Sequence, residues 1–274
     1  MGAELRVATY EAMPTGLPLL GRHASLSASS AELPEGAYTT LRTYGGRGVV
    51  RLGQHRRRLE DSIAAQGRPA SLDPALLRRA LRQALDAGAH LESRVRLTFS
   101  PPRLFVAIEP FRPLPERLYE EGAACTTVVL RRPNPHAKDT RFIATAQDAY
   151  ARLPVEVEEG LILDDHGALL EGLSSNFFGV VDGVLRTEEE RALGGVTRSL
   201  VLEVAEALLP IERCAVARDE RPRLSEAFLT SVSREVLPVV RIDDRPIGDG
   251  RVGERTRAIR RAFADLVTRE REPL

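Results

Sequence analysis

Glu171-Gly172-Leu173-Ser174-Ser175-Asn176-Phe177-Phe178 is the stretch on which the reading of this chain turns. A carboxylate closes one short apolar run, small polar residues suited to a tight loop follow, and two aromatics open the next run. Upstream, Gly160 to Leu163, a turn at Asp165-His166-Gly167 and Leu169 to Gly172 read as a hairpin. Downstream, Phe177 to Val181 and Val184-Leu185 are joined by Asp182-Gly183, a dipeptide that accepts the left-handed φ of a tight hairpin turn. Next, Gly194-Gly195-Val196-Thr197-Arg198 leads into a helix expected over Thr197 to Leu209, with Leu200, Val201, Val204, Ala205 and Leu208 on one face. Strands at Ala227 to Thr230 and Val239 to Ile242 and a helix from about Glu254 to Arg269 complete this half.

The first half alternates in the same way. Tyr38 to Thr43 reads as a strand, Gly45-Gly46 as a turn, and Val49 to Leu52 leads into a helix through His55, Leu59 and Ile63. A second helix runs from Asp73, a possible N-cap, through Leu76, Leu77, Leu81 and Leu85 to Gly88. Strands Val95 to Phe99 and Leu104 to Ile108 follow. The three prolines of Pro110 to Pro115 stiffen the chain and exclude a central strand, which makes this segment the expected domain boundary. Beyond it come a strand at Cys125 to Leu130 and a helix after Asp139.

Composition narrows the function. The 274 residues suffice for one large or two modest domains. The 39 basic and 39 acidic residues balance, so no global field favours nucleic acid or an anionic membrane. Cys125 and Cys214 are far apart, and no apolar run of about 18 residues occurs, so a reduced, cytoplasmic protein without a metal site is expected.

The basic residues hold one peculiarity: Lys138 is the only lysine, and the other 38 are arginines. Arginine replaces lysine at most solvated positions, but its guanidinium stays protonated and cannot form an imine with an aldehyde. A chemical need for one amine explains the survivor; a surface lysine that drift has not removed explains it as well.

If the amine serves an aldehyde cofactor with a pyridine ring and a phosphate, three further parts are needed. An acid must hold the ring nitrogen protonated, and Glu171 fits, although it also reads as a solvated strand-end carboxylate. A helix start with free N–H groups must receive the phosphate, and Gly195-Val196-Thr197 supplies one, although a Thr197 N-cap would look the same. The hydroxyls of Thr230-Ser231-Val232-Ser233 could complete that cradle. A fixed cation must face the phosphate, and Arg58 is the choice, although among 38 arginines a solvated helix face is the plainer reading.

Together these residues resemble the class IV, or fold-type IV, pyridoxal phosphate aminotransferases, which include branched-chain and D-amino-acid aminotransferases and aminodeoxychorismate lyase. The similarity spans Tyr38 to Val239. It is strongest at Glu171 to Phe178, Gly195 to Arg198, Phe228 to Ser231 and Glu235 to Val239, and weaker at Tyr38 to Tyr44 and at His55 to Leu59 with Ser62. It implies a two-domain α/β (α+β) fold, with a smaller N-terminal α/β domain over 1–112 and a larger, mixed-sheet, barrel-like domain over 113–274. It implies a homodimer that binds pyridoxal 5'-phosphate. Lys138 would be the Schiff-base lysine, Glu171 the partner of the pyridine nitrogen, and Arg58, Gly195, Val196, Thr197, Ser231 and Val232 the phosphate ligands. For the substrate carboxylate the candidates are Tyr38, Arg94 and Arg96. Amino acid and keto acid substrates follow, with the amino group exchanged between them.

Three departures bear on the reaction. Asp139-Thr140-Arg141-Phe142 lacks the asparagine usual near that aromatic, and Val232 stands where many relatives have a hydroxyl. Tyr38-Thr39-Thr40 lacks the acid that often follows the aromatic, a pattern that also resembles aminodeoxychorismate lyase. The lyase, releasing pyruvate and 4-aminobenzoate, is the alternative activity; a non-catalytic binding protein is the alternative class.

Overall fold

The structure is a computed structural model and describes residues 6–274. It divides into two compact units. The first reaches to Arg112 and also takes in Ala137–Ala144 and Glu270–Leu274; the second comprises Pro113–His136 and Thr145–Arg269.

In the first unit, alternation builds an antiparallel five-stranded sheet in the order Leu19–His23, Val7–Ala12, Arg103–Pro110, Ser93–Ser100, Ala37–Arg42. Leu41, Val95, Leu97, Phe99, Leu104, Val106 and Ile108 share one face and are buried in a single core. Two helices, Leu52–Ala64 and Pro74–Gly88, cover it with Leu59, Ile63, Leu77, Leu81 and Leu85. Each fully buried leucine or phenylalanine contributes about 1.5–3 kcal/mol, enough to fix the register, since a one-residue slip would turn the apolar set outward. Asp73 caps the second helix by accepting from the Ala75 N–H at 2.8 Å, with Pro74 at the first helical position. The opposite face carries Tyr38, Arg94 and Arg96.

Sequence periodicity missed three parts of this unit. The hairpin of Val7–Ala12 and Leu19–His23 and the short helix Leu26–Ala31 have weak alternation. The terminal strand Arg271–Pro273 pairs with Gly48–Val50 across the whole chain.

The second unit is a closed, barrel-like mixed sheet. Asn176–Val181, Leu224–Ser231, Glu235–Ile242, Ala123–Val128, Glu159–Leu163 and Leu169–Gly172 pair in that order, and the last returns to the first. The two pairings made by Ala123–Val128 are parallel and the rest antiparallel. The ring closes where Asn176 pairs with Glu171. Leu161, Phe177, Leu229 and Leu237 fill one core, while Phe178 and Phe228 stack at 4.8 Å between ring centroids.

The helix expected over Thr197 to Leu209 is Val196–Ala205. It stops early, ahead of Pro210, and Leu208, placed on the apolar face by periodicity, is exposed while Leu202 is buried. Both cysteines are thiols, Cys125 buried and Cys214 exposed. Among the described residues no helix is long and apolar enough to cross a membrane.

Candidate active site

Lys138 lies in the segment expected to belong to the later domain, yet it packs with the first unit. The reason is backbone hydrogen bonding. Ala37–Arg42 is the edge strand of the sheet, and an edge presents unpaired N–H and C=O groups. The Lys138 carbonyl accepts from the Tyr38 N–H at 2.9 Å, and Asp139 bridges to Ala37. The Thr140 N–H donates to the Gly36 carbonyl at 2.9 Å, and the Thr140 hydroxyl accepts from the Gly36 N–H at 3.0 Å. From the helix side, the Ser62 hydroxyl accepts from the Lys138 N–H at 3.0 Å. Both main-chain polar groups of the lysine are thus held, and its Nζ lies 4.7 Å from the centroid of the Tyr38 ring.

Arg58 projects from the helix Leu52–Ala64 of the same unit. Its Nη2 donates to the Thr39 hydroxyl, whose oxygen is 2.7 Å from His55 Nδ1. Arg58 Nη2 also lies 3.4 Å from His55 Nδ1, and because a guanidinium only donates, Nδ1 is the acceptor, which makes His55 the Nε2–H tautomer. Burial, then the charges of Arg58 and Lys138, hold the imidazole well below its usual pKa of 6.5. Burial also lowers Arg58 to about 10, which leaves it charged at neutral pH. Its partners Thr39 and His55 are neutral, and its buried Nε has no hydrogen-bond partner. Among the described residues no carboxylate is hydrogen-bonded to this guanidinium.

Tyr38 and Arg96 come together, with the guanidinium carbon of Arg96 5.0 Å from the Tyr38 ring centroid. Arg96 also donates to the Leu26 carbonyl at 3.1 Å and the Ser30 hydroxyl at 3.0 Å. Arg94, two residues away on the same face, is instead committed to the buried Glu109, donating to it at 2.6 Å.

In the second unit Glu171 sits 3% exposed at the point where the barrel closes. Its Oε1 accepts from Arg132 Nε at 2.7 Å and its Oε2 from the Leu193 N–H at 3.1 Å. The Leu193 carbonyl accepts from Asn176 Nδ2 at 2.6 Å. Leu193 is therefore gripped at both polar groups, and the Glu171 loop is tied to the approach of the next helix. That helix begins at Val196 with Gly195 as N-cap and no side chain capping it, so Thr197 is not the cap. Gly195 is required here, because a Cβ on it would meet Asn176 Oδ1 at 2.2 Å, whereas one on Gly194 would meet nothing. Ser231 and Val232 open the turn between Leu224–Ser231 and Glu235–Ile242, and Thr230 just before them keeps a buried hydroxyl without a hydrogen-bond partner.

Taken unit by unit, the donors suit parts of a phosphorylated pyridine aldehyde. The second unit has a helix start with no side-chain cap, an unsatisfied hydroxyl and a buried carboxylate; the first has an amine and a guanidinium whose side-chain partners among the described residues are a hydroxyl and an imidazole. Sequence reasoning missed Arg132, which one arginine among 38 gives no cue to find, and the linking roles of Leu193 and Asn176. An asparagine opening an apolar strand was the one available signal for the latter.

Comparison with known proteins agrees. The amino-transferase class IV family model matches residues 36–242. A putative branched-chain-amino-acid aminotransferase of Methanocaldococcus jannaschii is 32% identical over 57% of this chain and 57% of its own length. The branched-chain-amino-acid aminotransferase of Pseudomonas aeruginosa is 38% identical over 42% of this chain and 38% of its own. The matched region thus spans about half, or less, of these curated relatives. In structure, the chain resembles a branched-chain aminotransferase of Thermoproteus uzoniensis solved with norvaline, with a TM-score of 0.76 and 25% identity, covering 97% of this chain and 98% of that one. It resembles in fold the T.th. branched-chain amino acid aminotransferase solved with pyridoxamine 5'-phosphate, with a TM-score of 0.80 at 23% identity, covering 97% and 95%. The fold is that of an aminotransferase. The chain belongs to the class IV amino-transferase family.

Proposed function

We propose that this chain is a pyridoxal 5'-phosphate-dependent aminotransferase that exchanges an amino group between an amino acid and a 2-keto acid. The observation that carries the proposal is the placement of the only lysine, pinned through both main-chain polar groups on the sheet edge. When bound, the cofactor supplies an aldehyde that takes up the amine and a protonated ring that draws electrons from the substrate Cα.

The chain's own residues do the rest. Lys138 would hold the cofactor through its Nζ, and the same Nζ would be the group that takes and returns the Cα proton. The carboxylate of Glu171, paired with Arg132, would be the partner of the ring nitrogen. In the first unit Arg58, and in the second the helix start at Gly195, Val196 and Thr197 and the turn at Ser231 and Val232, are the groups that would hold the phosphate. Tyr38 and Arg96 receive the substrate carboxylate, while the Arg94 charge is largely compensated by Glu109. The two compact units serve as the two domains, with Lys138 assigned to the first.

Branched-chain amino acids are the first donors to test, because the relatives carry that name. Balanced charge and two unpaired thiols support a cytoplasmic location, and the resemblance supports a homodimer, which light scattering tests directly. The deciding assay offers L- and D-amino acids with 2-oxoglutarate or pyruvate, and separately aminodeoxychorismate without an acceptor. Amino exchange that depends on Lys138 supports the proposal. Pyruvate release from aminodeoxychorismate alone would replace it with the lyase.

A further inference from the structure

Glu159, the first residue of its strand, is fully buried. A carboxylate in that position persists only when it is ion-paired and its oxygens are filled by donors. Arg234 Nη1 is 3.2 Å from Oε2. The Ser175 hydroxyl donates to Oε2 at 2.8 Å, and Tyr150 and the Gly160 N–H donate to Oε1 at 2.5 and 3.1 Å. The loop after Glu171 is drawn onto this carboxylate so tightly that a Cβ on Gly172 would meet Ser175 Oγ at 2.2 Å and Glu159 Cγ at 2.9 Å.

Arg234 is the centre of the cluster. Its guanidinium also donates to the Ser174 hydroxyl at 3.0 Å and the Glu158 carbonyl at 3.3 Å. Its peptide N–H donates to Ser231 Oγ at 3.2 Å, and its carbonyl accepts from the Tyr119 hydroxyl at 3.0 Å. Burial alone would lower its pKa, but Glu159 and Tyr150 outweigh that and raise it. The charge is permanent and locked. Since Ser231 Oγ already accepts from the Arg234 N–H, the Ser231 hydroxyl hydrogen is available to another acceptor.

We propose that Arg234, anchored on Glu159, is a positioning residue that fixes the Ser231 turn against the Ser174-Ser175 loop, so that the turn presents its donors to a phosphate. The proposal rests on the reading of Ser231 and Val232 as phosphate ligands. A cluster serving stability alone would have no reason to join the two segments that flank the assigned cofactor ligands, the loop after Glu171 and the turn after Thr230.

The test is equilibrium binding of pyridoxal 5'-phosphate and of pyridoxal to the cofactor-free full chain, for wild type, Arg234→Gln, Tyr150→Phe and Ser231→Ala. The expected result is a preference for the phosphorylated ligand that falls about tenfold in Arg234→Gln, the equivalent of one charged hydrogen bond, and less steeply in Tyr150→Phe. Pyridoxal affinity should stay within about twofold, because it lacks the group being positioned. Equal weakening of both ligands, or no change in their ratio, overturns the positioning role. If Arg234→Gln does not fold, Tyr150→Phe, which keeps the ion pair, decides. If Ser231→Ala lowers the ratio and the other two do not, only the positioning role fails. If Ser231→Ala leaves it unchanged, the phosphate reading of the turn fails and takes the proposal with it.

Discussion

The Tyr38 N–H donates to the carbonyl of Lys138 at 2.9 Å, so the main chain of the lysine is tied to the edge of a sheet. The edge strand gains a partner, and the amine gains a fixed origin for its four-carbon arm.

Lys138→Arg keeps the charge and both main-chain bonds, so the variant should fold with an unchanged melting temperature. It should nonetheless lose covalent attachment of pyridoxal phosphate, read by borohydride trapping and mass spectrometry. Amino exchange should fall by at least about 10²–10⁴, the range for loss of a positioned proton carrier. Retained attachment at another residue would contradict the assignment.

Two adjacent glycines should separate by ligand affinity. Gly195→Ala drives a methyl into Asn176 and displaces the helix start, so pyridoxal phosphate should bind at least about tenfold more weakly, as when one good hydrogen bond is lost. Gly194→Ala meets open space and should bind like wild type. Parallel titrations of the two variants check this, and equal affinities would remove the helix start from the site.

The Arg132 and Glu171 side chains, 7% and 3% exposed, form a buried pair. Glu171→Gln removes the carboxylate from this buried pair and should cost about 3–5 kcal/mol in urea unfolding. Glu171→Gln combined with Arg132→Met should recover much of that loss, because the buried guanidinium no longer has to be kept out of water. Stability of the single variant equal to wild type would show that the pair contributes nothing.

His55 makes the cofactor-free protein sensitive to acid. Above its ordinary pKa of 6.5 the imidazole is neutral whether the chain is folded or not, and its hydrogen bond to Thr39 is fully in place. As the pH falls below 6.5, the unfolded chain gains a proton that the buried ring refuses. Stability should then decline by up to about 1.4 kcal/mol per pH unit until the depressed folded pKa is reached. His55→Gln should flatten this part of the profile between pH 6.5 and 5, measured by denaturant unfolding at each pH. An unchanged slope would show that another group titrates.

The sequence by itself determined the features that are local. Period-two alternation in Val95 to Phe99 and Leu104 to Ile108, the turn chemistry of Asp182-Gly183 and the N-cap at Asp73 each act over a few residues, and each left a readable pattern. The uniqueness of Lys138 was likewise a fact of composition. Only the tertiary structure decided which unit carries that lysine, because the decision rests on hydrogen bonds such as the one between Gly36 and Thr140, 104 residues apart. The same holds for Arg132 on Glu171, 39 residues apart, and Arg234 on Ser174, 60 apart. Arginine is so common here that its presence at a position says nothing; what it does depends on which carboxylate or hydroxyl folding brings within reach, and pairing at that range leaves no period in the chain.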